Sequence, residues 1–215
     1  NQGDDSRYTQ EDLDRFSDQT SPDTHPDVNW LSVLNETALL KKHGISANGG
    51  SEKIRYATSL SFLDQDGIVP SNNFKRYNFR SNIDADVTST TQLSFDLSGR
   101  DERTNNVASP ELFRWLVSTA PDRYPIKWSN GTYAGGPAYL ALPENGYRNR
   151  AIMALKGRIQ LIQQLPVDGL SLRGIASYDK TFTDQKNYLF PQTRSYNRLS
   201  DGSFVQQPLG TTELY

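Results

Sequence analysis

The chain has 215 residues with 23 basic and 25 acidic side chains, and its net charge of −2 gives no field that would attract nucleic acid. Cysteine is absent, which excludes disulfide frameworks, thiolate zinc sites and a cysteine nucleophile. No window approaches the roughly 20 continuous apolar residues of a membrane helix. Hydrophobic residues make up 35% of a sequence rich in Ser, Thr, Asn and Gly, and this composition favours strands and turns.

The N-terminal part of the chain is polar and predicts two short helical pieces. Thr9 is suited to cap a first helix, because Asp12 follows three residues later and completes a capping box. Pro22 and Pro26 end any helix, and a second short helical or irregular piece is predicted at 29–34. We interpret this part as a connector into a more regular region.

Six segments then show the period of two that is typical of β-strands, at 42–48, 54–62, 76–86, 92–100, 153–161 and 170–178. One side of these segments is apolar, and its large side chains are candidates for contact with lipid. The candidate membrane-facing residues are Ile54, Tyr56, Leu60, Phe62, Tyr77, Phe79, Ile83, Leu93, Phe95, Leu97, Met153, Leu155, Ile159, Leu161, Leu170, Leu172 and Tyr178.

The opposite side of the predicted strands is polar and leaves two architectures open. It carries cations among Ser, Asn and Gln, as the wet lumen of a transmembrane barrel does: Arg55, Arg76, Arg80, Lys156, Arg158 and Arg173. A soluble β-sandwich also alternates apolar and polar residues, and there the apolar sides form the core. The periodicity alone is compatible with both architectures.

The connections between the predicted strands alternate between short and long. Tight connections are predicted at 49–52, 87–90 and 165–169, whereas the long ones are 64–73, 101–150 and everything after 181. All short turns would therefore lie at one end of the sheet and all long loops at the other, which is typical of transmembrane barrels. Strands of roughly nine to eleven residues also match a tilted bilayer crossing.

The long connection at 101–150 is the predicted location of ligand or partner contacts. A helix is expected from Ser109-Pro110 to Thr119, because proline suits the first helical position. The Gly- and Pro-rich stretch that follows carries four aromatic residues, Tyr124, Trp128, Tyr133 and Tyr139. These side chains would stack on sugar rings or pack against a partner protein, or else form a small core of the loop itself.

No motif for catalysis, metal binding or cofactor binding stands out, so no catalytic residue, metal ligand or cofactor is predicted. His25 and His43 lie 18 residues apart without carboxylates in a metal-binding pattern. The stretch DQDG at 64–67 begins like a calcium loop but lacks the later acidic positions, and we interpret it as a turn. There is no phosphate-binding loop or nucleophile elbow.

Three consecutive motifs carry a resemblance to a known family. They are HGISANGGSEKIRY at 43–56, FLDQDGI at 62–68 and FKRYNFRSNID at 74–84. In this order and at this spacing they resemble the first barrel hairpins of the SusC/RagA family of TonB-linked outer-membrane proteins. Residues 11–30 resemble the family's passage from plug to barrel, and 157–159 with 169–179 resemble its next hairpin.

The resemblance implies an all-β fold, with about six antiparallel strands of a transmembrane β-barrel of about 22 strands, short periplasmic turns, long extracellular loops and one or two short helices. Residues 1–37 would be the end of the plug domain or a connector. Residues 38–215 would be part of the barrel, with an extracellular loop at 101–150. Because the chain begins at Asn1 without a methionine and stops at Tyr215, both ends are expected to be cuts in a longer protein.

The function that the resemblance implies is TonB-dependent import of a nutrient, an oligosaccharide or a peptide, across the bacterial outer membrane. The implied partners are a surface lipoprotein of the SusD type, TonB reached through a part of the protein outside this chain, membrane lipid and the substrate, but no nucleic acid. The chain would supply barrel wall and outer loops and would not be an enzyme. The alternative from another class is a secreted all-β carbohydrate-binding or glycosidase domain.

Overall fold

A six-stranded antiparallel sheet dominates the computed structural model, which describes residues 8–107, 109–136, 138, 141–142, 145–189 and 196–206. Its strands are hydrogen-bonded in chain order, and the all-β prediction with six strands is confirmed. They are β1 (Leu40–Gly50), β2 (Ile54–Asp66), β3 (Asn73–Asp86), β4 (Thr91–Val107), β5 (Gly146–Gln164) and β6 (Ser171–Leu189). Among the described residues, no helix combines the length and the apolar character needed to cross a membrane.

The strands pair in a continuous register, and this register sorts the side chains onto two faces. Leu60 lies opposite Phe79, Phe79 opposite Gly99, and Gly99 opposite Leu155. Directly paired residues point to the same side of a sheet, so each such row, here called a register line, crosses the sheet on one face. The apolar face holds the odd-numbered residues of β1, β3, β4 and β5 and the even-numbered residues of β2 and β6; the polar face holds the others.

Several strands extend beyond the predicted bounds at the end of the sheet where the sequence predicted long connections. β2 ends at Asp66 and β3 begins at Asn73, so the connection predicted at 64–73 is shortened to 67–72 and is not long. β4 continues to Val107 rather than ending at 100, and β5 begins at Gly146, so the connection predicted at 101–150 is shortened to 108–145. β6 likewise runs to Leu189, where the sequence indicated a loop after 181. Backbone pairing continues there although charged residues occupy both faces, and the alternation in hydrophobicity that marks a strand in the sequence is lost.

Three short helices occur where the sequence predicted helical structure. α1 (Gln10–Asp18) begins with the expected capping box of Thr9 and Asp12. A 3-10 helix spans Trp30–Val33, and α2 (Leu112–Ser118) lies within the long connection.

A small core joins the N-terminal segment to the long connection. Its buried residues are Trp30, Val107, Leu112, Leu116, Ala138 and Ala141. The Trp30 indole Nε1–H donates to the carbonyl of Ala120 at 3.2 Å, and the Val28 amide donates to the carbonyl of Pro121 at 3.1 Å. We call residues 8–39 and 109–142, as far as the structure describes them, the loop layer.

The loop layer lies at the end of the sheet where the long connections are. The Asn35 amide donates to the carbonyl of Ile68, between β2 and β3, and the Asp66 amide donates to the carbonyl of Leu39. The chain therefore enters β1 from the loop end of the sheet. The assignment of 1–37 to the end of a plug or a connector stays a prediction.

A short hairpin completes the described fold. β7 (Tyr196–Arg198) pairs with β8 (Phe204–Gln206), within the part after 181 that the sequence indicated only as a loop. The Tyr196 amide donates to the carbonyl of Tyr133 at 2.8 Å, which attaches the hairpin to the loop layer.

The α1 cap gives the loop layer a defined response to acid. The Asp12 carboxylate accepts from the Thr9 amide at 2.9 Å and the Thr9 hydroxyl at 2.7 Å, and it lies 3.0 Å from Nε2 of His25. These contacts, those with Thr9 first, lower the pKa of Asp12 from 3.8 to about 2. Because the pKa is lower in the folded state, the cap's contribution is complete above about pH 4 and is lost as the pH falls towards about 2.

We therefore expect α1 to fray as the pH is lowered from about 4 to about 2, and we expect Asp12→Asn to remove this pH dependence. Hydrogen exchange of residues 10–18 in the full-length protein, corrected for intrinsic exchange rates, measures the effect. The exposed Asp14 on the same helix provides a matched control as Asp14→Asn. An Asp12→Asn variant with the same acid response as the parent would contradict this role.

Candidate functional site

The apolar face brings together almost all of the side chains that the sequence predicted to contact lipid. Sixteen of the seventeen lie on this face, and Leu170 lies in the turn between β5 and β6, where its amide donates to the carbonyl of Val167. The structure adds Ile45 and Phe182, which the sequence reading left out. Six strands thus contribute to one continuous apolar surface.

The apolar surface is uncovered. The exposed fraction is 71% for Ile45, 52% for Leu60 and 55% for Met153. Soluble monomers rarely expose contiguous apolar patches above a few hundred Å². A β-sandwich would cover this face with a second sheet, and the described residues form no second sheet larger than the β7–β8 hairpin, which packs on the loop layer. The sandwich alternative therefore gains no support.

The apolar surface ends abruptly towards the loops. Its last register line is His43, Phe62, Tyr77, Asp101, Met153 and Phe182, in which the Phe62 and Tyr77 rings are 4.8 Å apart. The next line is Lys41, Asp64, Lys75, Arg103, Ala151 and Asp184, in which Lys75 Nζ lies 3.8 Å from Asp64 Oδ2. An aromatic border followed by charged side chains is the pattern found where a barrel leaves the hydrocarbon core.

The height of the apolar surface fits a bilayer. On β2 it runs from Ile54 to Phe62. At about 3.3 Å per residue this is roughly 26 Å along the strand, or about 20 Å of height at a tilt of about 40° before the side chains are counted. Outer-membrane barrels present an apolar band about 25 Å tall.

The polar face carries every cation that the sequence predicted there, and several of its polar side chains are hydrogen-bonded to one another. The Asn82 side chain donates to the Asp96 carboxylate, and Nδ2 of Asn78 donates to the Ser61 hydroxyl at 3.0 Å. Lys156 Nζ lies 2.8 Å from Asp179 Oδ2. These half-buried and exposed polar groups suit a surface in contact with water, so the two faces of one sheet are adapted to opposite surroundings.

Two of the four aromatic residues predicted in the long connection are packed against other residues, Tyr124 within the loop layer and Trp128 against the β7–β8 hairpin. The Tyr124 ring meets the Trp30 ring edge to face at 5.4 Å. Trp128 is buried, and its Nε1–H donates to the carbonyl of Tyr196 at 2.6 Å. Tyr133 lies beneath the Lys127 ammonium at 4.8 Å. Tyr139 lies outside the described residues.

Tyr124 and Trp128 also line a cavity, although both are packed against other residues. Both line a cavity of about 560 Å³ together with Arg123, Asn197 and Arg198. The cavity lies between the long connection and the β7–β8 hairpin. The packing of Tyr124 and Trp128 favours a small core of the loop, whereas the cavity favours contact with a ligand or a partner protein.

Asp23 is a residue of the loop layer that the sequence reading missed. Its carboxylate accepts from the Ser129 amide at 2.8 Å and from the Ser129 hydroxyl at 2.6 Å, and Arg198 Nε lies 3.9 Å away. It thus ties the N-terminal segment to two distant parts of the chain. No local signal would have found it, because the partners are more than 100 residues away.

The two histidines are engaged in packing and hydrogen bonding. His25 contacts Asp12, and the His43 ring lies parallel to the Phe62 ring at 6.5 Å. Within the part of the chain that the structure describes, no cluster of three or more His, Asp or Glu side chains is arranged to hold a metal ion.

Relatives and solved structures resemble the chain over much of its length. It is 29% identical over 134 residues to TonB-dependent receptor P26 of Formosa agariphila, which covers 61% of this chain and 13% of that protein. It is 34% identical over 56 residues to TonB-dependent receptor SusC of Bacteroides thetaiotaomicron, covering 26% of this chain and 6% of SusC. The RagAB peptide transporter matches 74% of this chain and 19% of its own, with a TM-score of 0.59 and 24% identity. No family model matches the chain.

The chain is similar to TonB-dependent receptors of the SusC/RagA type. The resemblance found in the motifs is thereby confirmed, and so is the prediction that the chain is not an enzyme, since these relatives are named receptors and transporters. The structural match, at 24% identity, supports the fold of this chain. The chain spans only 13% of the length of receptor P26 and 6% of SusC.

Proposed function

We propose that this chain forms part of the barrel wall and outer loops of a TonB-dependent importer in the bacterial outer membrane. The observation that carries the proposal is the uncovered apolar face, which ends at an aromatic border followed by charged side chains. A membrane supplies surroundings in which an uncovered apolar face and a hydrated polar face are both stable on the same sheet.

The sheet is oriented by its two ends. The tight turns after β1, β3 and β5 would face the periplasm, and the loop layer would face the outside. β1 and β6 are open edges, which a barrel of about 22 strands closes with the rest of the receptor. In this arrangement residues 38–215 belong to the barrel, and the predicted connector at 1–37 approaches it from the outer side.

The loop layer is the proposed contact site for a surface lipoprotein of the SusD type. Leu112 and Leu116 of α2 are buried, whereas Phe113, Trp115 and Val117 on the same helix are exposed. Exposed apolar side chains at the outer end of a barrel suit a protein partner. The imported substrate would be an oligosaccharide or a peptide, and TonB would act through the plug of the complete receptor.

Energised import is tested by removing TonB. We expect cells that express the full-length gene to deplete components of a mixed pool of oligosaccharides and peptides, and we expect deletion of either this gene or TonB to abolish that depletion. Mass spectrometry of the medium measures it, and fractionation locates the protein. Recovery of the protein in a soluble fraction, or depletion that persists without TonB, would refute the proposal.

A further inference from the structure

The cations of the polar face are distributed unevenly along the strands. The register line of Ser46, Ser59, Arg80, Ser98, Lys156 and Asp179 divides this face. We call that line and everything towards the loops the loop-side half, and the remainder the turn-side half. Among the described residues, the turn-side half is balanced, with three cations, Arg55, Arg158 and Arg173, and three carboxylates, Asp84, Asp86 and Asp96.

The loop-side half carries a large excess of positive charge. Within the described strands it holds two carboxylates, Glu102 and Asp179. Against them stand seven cations, Lys42, Arg76, Arg80, Arg100, Arg148, Arg150 and Lys156. This half therefore has a net charge of +5, although the whole chain has a net charge of −2.

The two carboxylates leave most of these cations without a partner. Glu102 Oε1 lies 3.8 Å from Arg76 and 3.6 Å from Arg100, and Asp179 pairs with Lys156. Arg80 and Arg150 are exposed and have no carboxylate partner among the described residues. The buried Nε of Arg76 also lacks a hydrogen-bond acceptor.

We propose that the loop-side half of the polar face binds the carboxylate, sulfate or phosphate groups of an anionic substrate. The inference rests on the proposed import function and gives its substrate a charge class. Guanidinium groups bind oxyanions through paired N–H donors, and a cleft lined by one sign of charge concentrates the opposite ion. The position of the excess favours substrate as the occupant, because a solute that enters from outside meets the loop-side half first.

The experiment compares charged and neutral probes on the purified full-length protein in detergent. One pair of probes is a short polyglutamate and a polyglutamine of equal length; the other is a sulfated dextran oligosaccharide and its unsulfated form. We expect at least one anionic probe to bind about tenfold more tightly than its neutral counterpart, and we expect raised salt to weaken that binding. The two pairs distinguish an acidic peptide from an anionic sugar.

Variants locate the binding. We expect the double variant Arg80→Gln, Arg150→Gln to weaken binding of the anionic probe about tenfold and to leave the neutral probe unchanged. The charge-conserving Arg80→Lys, Arg150→Lys should retain most of the affinity. Arg173→Gln, on the same face but in the balanced turn-side half, is the matched control and should bind like the parent.

Equal binding of the charged and neutral probes would overturn the inference. So would unchanged affinity of the double glutamine variant in a folded, heat-modifiable protein, because the cations would then be neutralised by another part of the receptor. Depletion assays with and without TonB distinguish this failure from failure of the import proposal. TonB-dependent uptake without charge preference overturns only the charge class.

Discussion

Replacement of Leu60 or Phe95 by arginine in the full-length protein is expected to impair assembly into the outer membrane. Both side chains lie on the apolar face, one register line on either side of the line through Thr58, which is the middle of the apolar surface on β2. An arginine on the lipid face costs roughly 2–4 kcal/mol near the bilayer midplane. A shift of this size is a large fraction of a typical stability of about 5–15 kcal/mol.

Matched controls come from the neighbouring residues on the same strands. Ser59 and Ser94 point to the polar face, so Ser59→Arg and Ser94→Arg place the same charge at the same height against water. Heat-modifiable mobility and urea unfolding in lipid vesicles measure assembly and stability. If the apolar-face and polar-face arginines behave alike, the assignment of the apolar face to lipid is wrong.

Replacement of Trp30 by alanine is expected to separate the N-terminal segment from the long connection. Trp30 is 4% exposed, its indole donates to Ala120, and its ring contacts Tyr124. Truncation of a buried tryptophan costs about 3–5 kcal/mol through lost burial and the cavity left behind. Because the loop-layer core is small, this loss should open the loop layer while the β-sheet stays folded.

Hydrogen exchange of residues 28–36 and 109–128 in the full-length protein measures this opening. Trp115→Ala is the control, because it removes the same side chain from the same layer at a position that is 46% exposed. Trp30→Phe should be intermediate, since it keeps an aromatic ring and loses one hydrogen bond worth about 1 kcal/mol. Similar exchange in Trp30→Ala and Trp115→Ala would contradict a core role for Trp30.

Much of the sheet could be predicted from the sequence because strand periodicity is a local signal. Residues such as Tyr56, Phe79 and Ile159 occupy the face that the pattern assigned them. Errors are concentrated at the loop ends of strands. Asp101 lies in the last register line of the apolar surface and Arg103 just outside it, and there the pattern vanished while pairing continued.

The structure of the loop layer was harder to predict from the sequence because its contacts join residues that are distant along the chain. The sequence nominated Tyr124 and Trp128 but could not select between a core and an exposed contact. The sequence did not predict that Trp30 is a core residue, because its partner Ala120 lies 90 residues away. It did not predict that Asp23 is a bridging residue either, because Ser129 lies 106 residues away. The β7–β8 hairpin is too short for a periodic signal.

The sequence by itself determined the six strands, the two-faced character of the sheet and, through the motifs at 43–84, the resemblance to SusC/RagA receptors. These features depend on neighbours along the chain and on adjacent antiparallel strands. Only the tertiary structure decided that the N-terminal segment lies at the loop end and that positive charge accumulates in the loop-side half of the polar face. Both depend on the register, which brings side chains from six separate strands together on one surface.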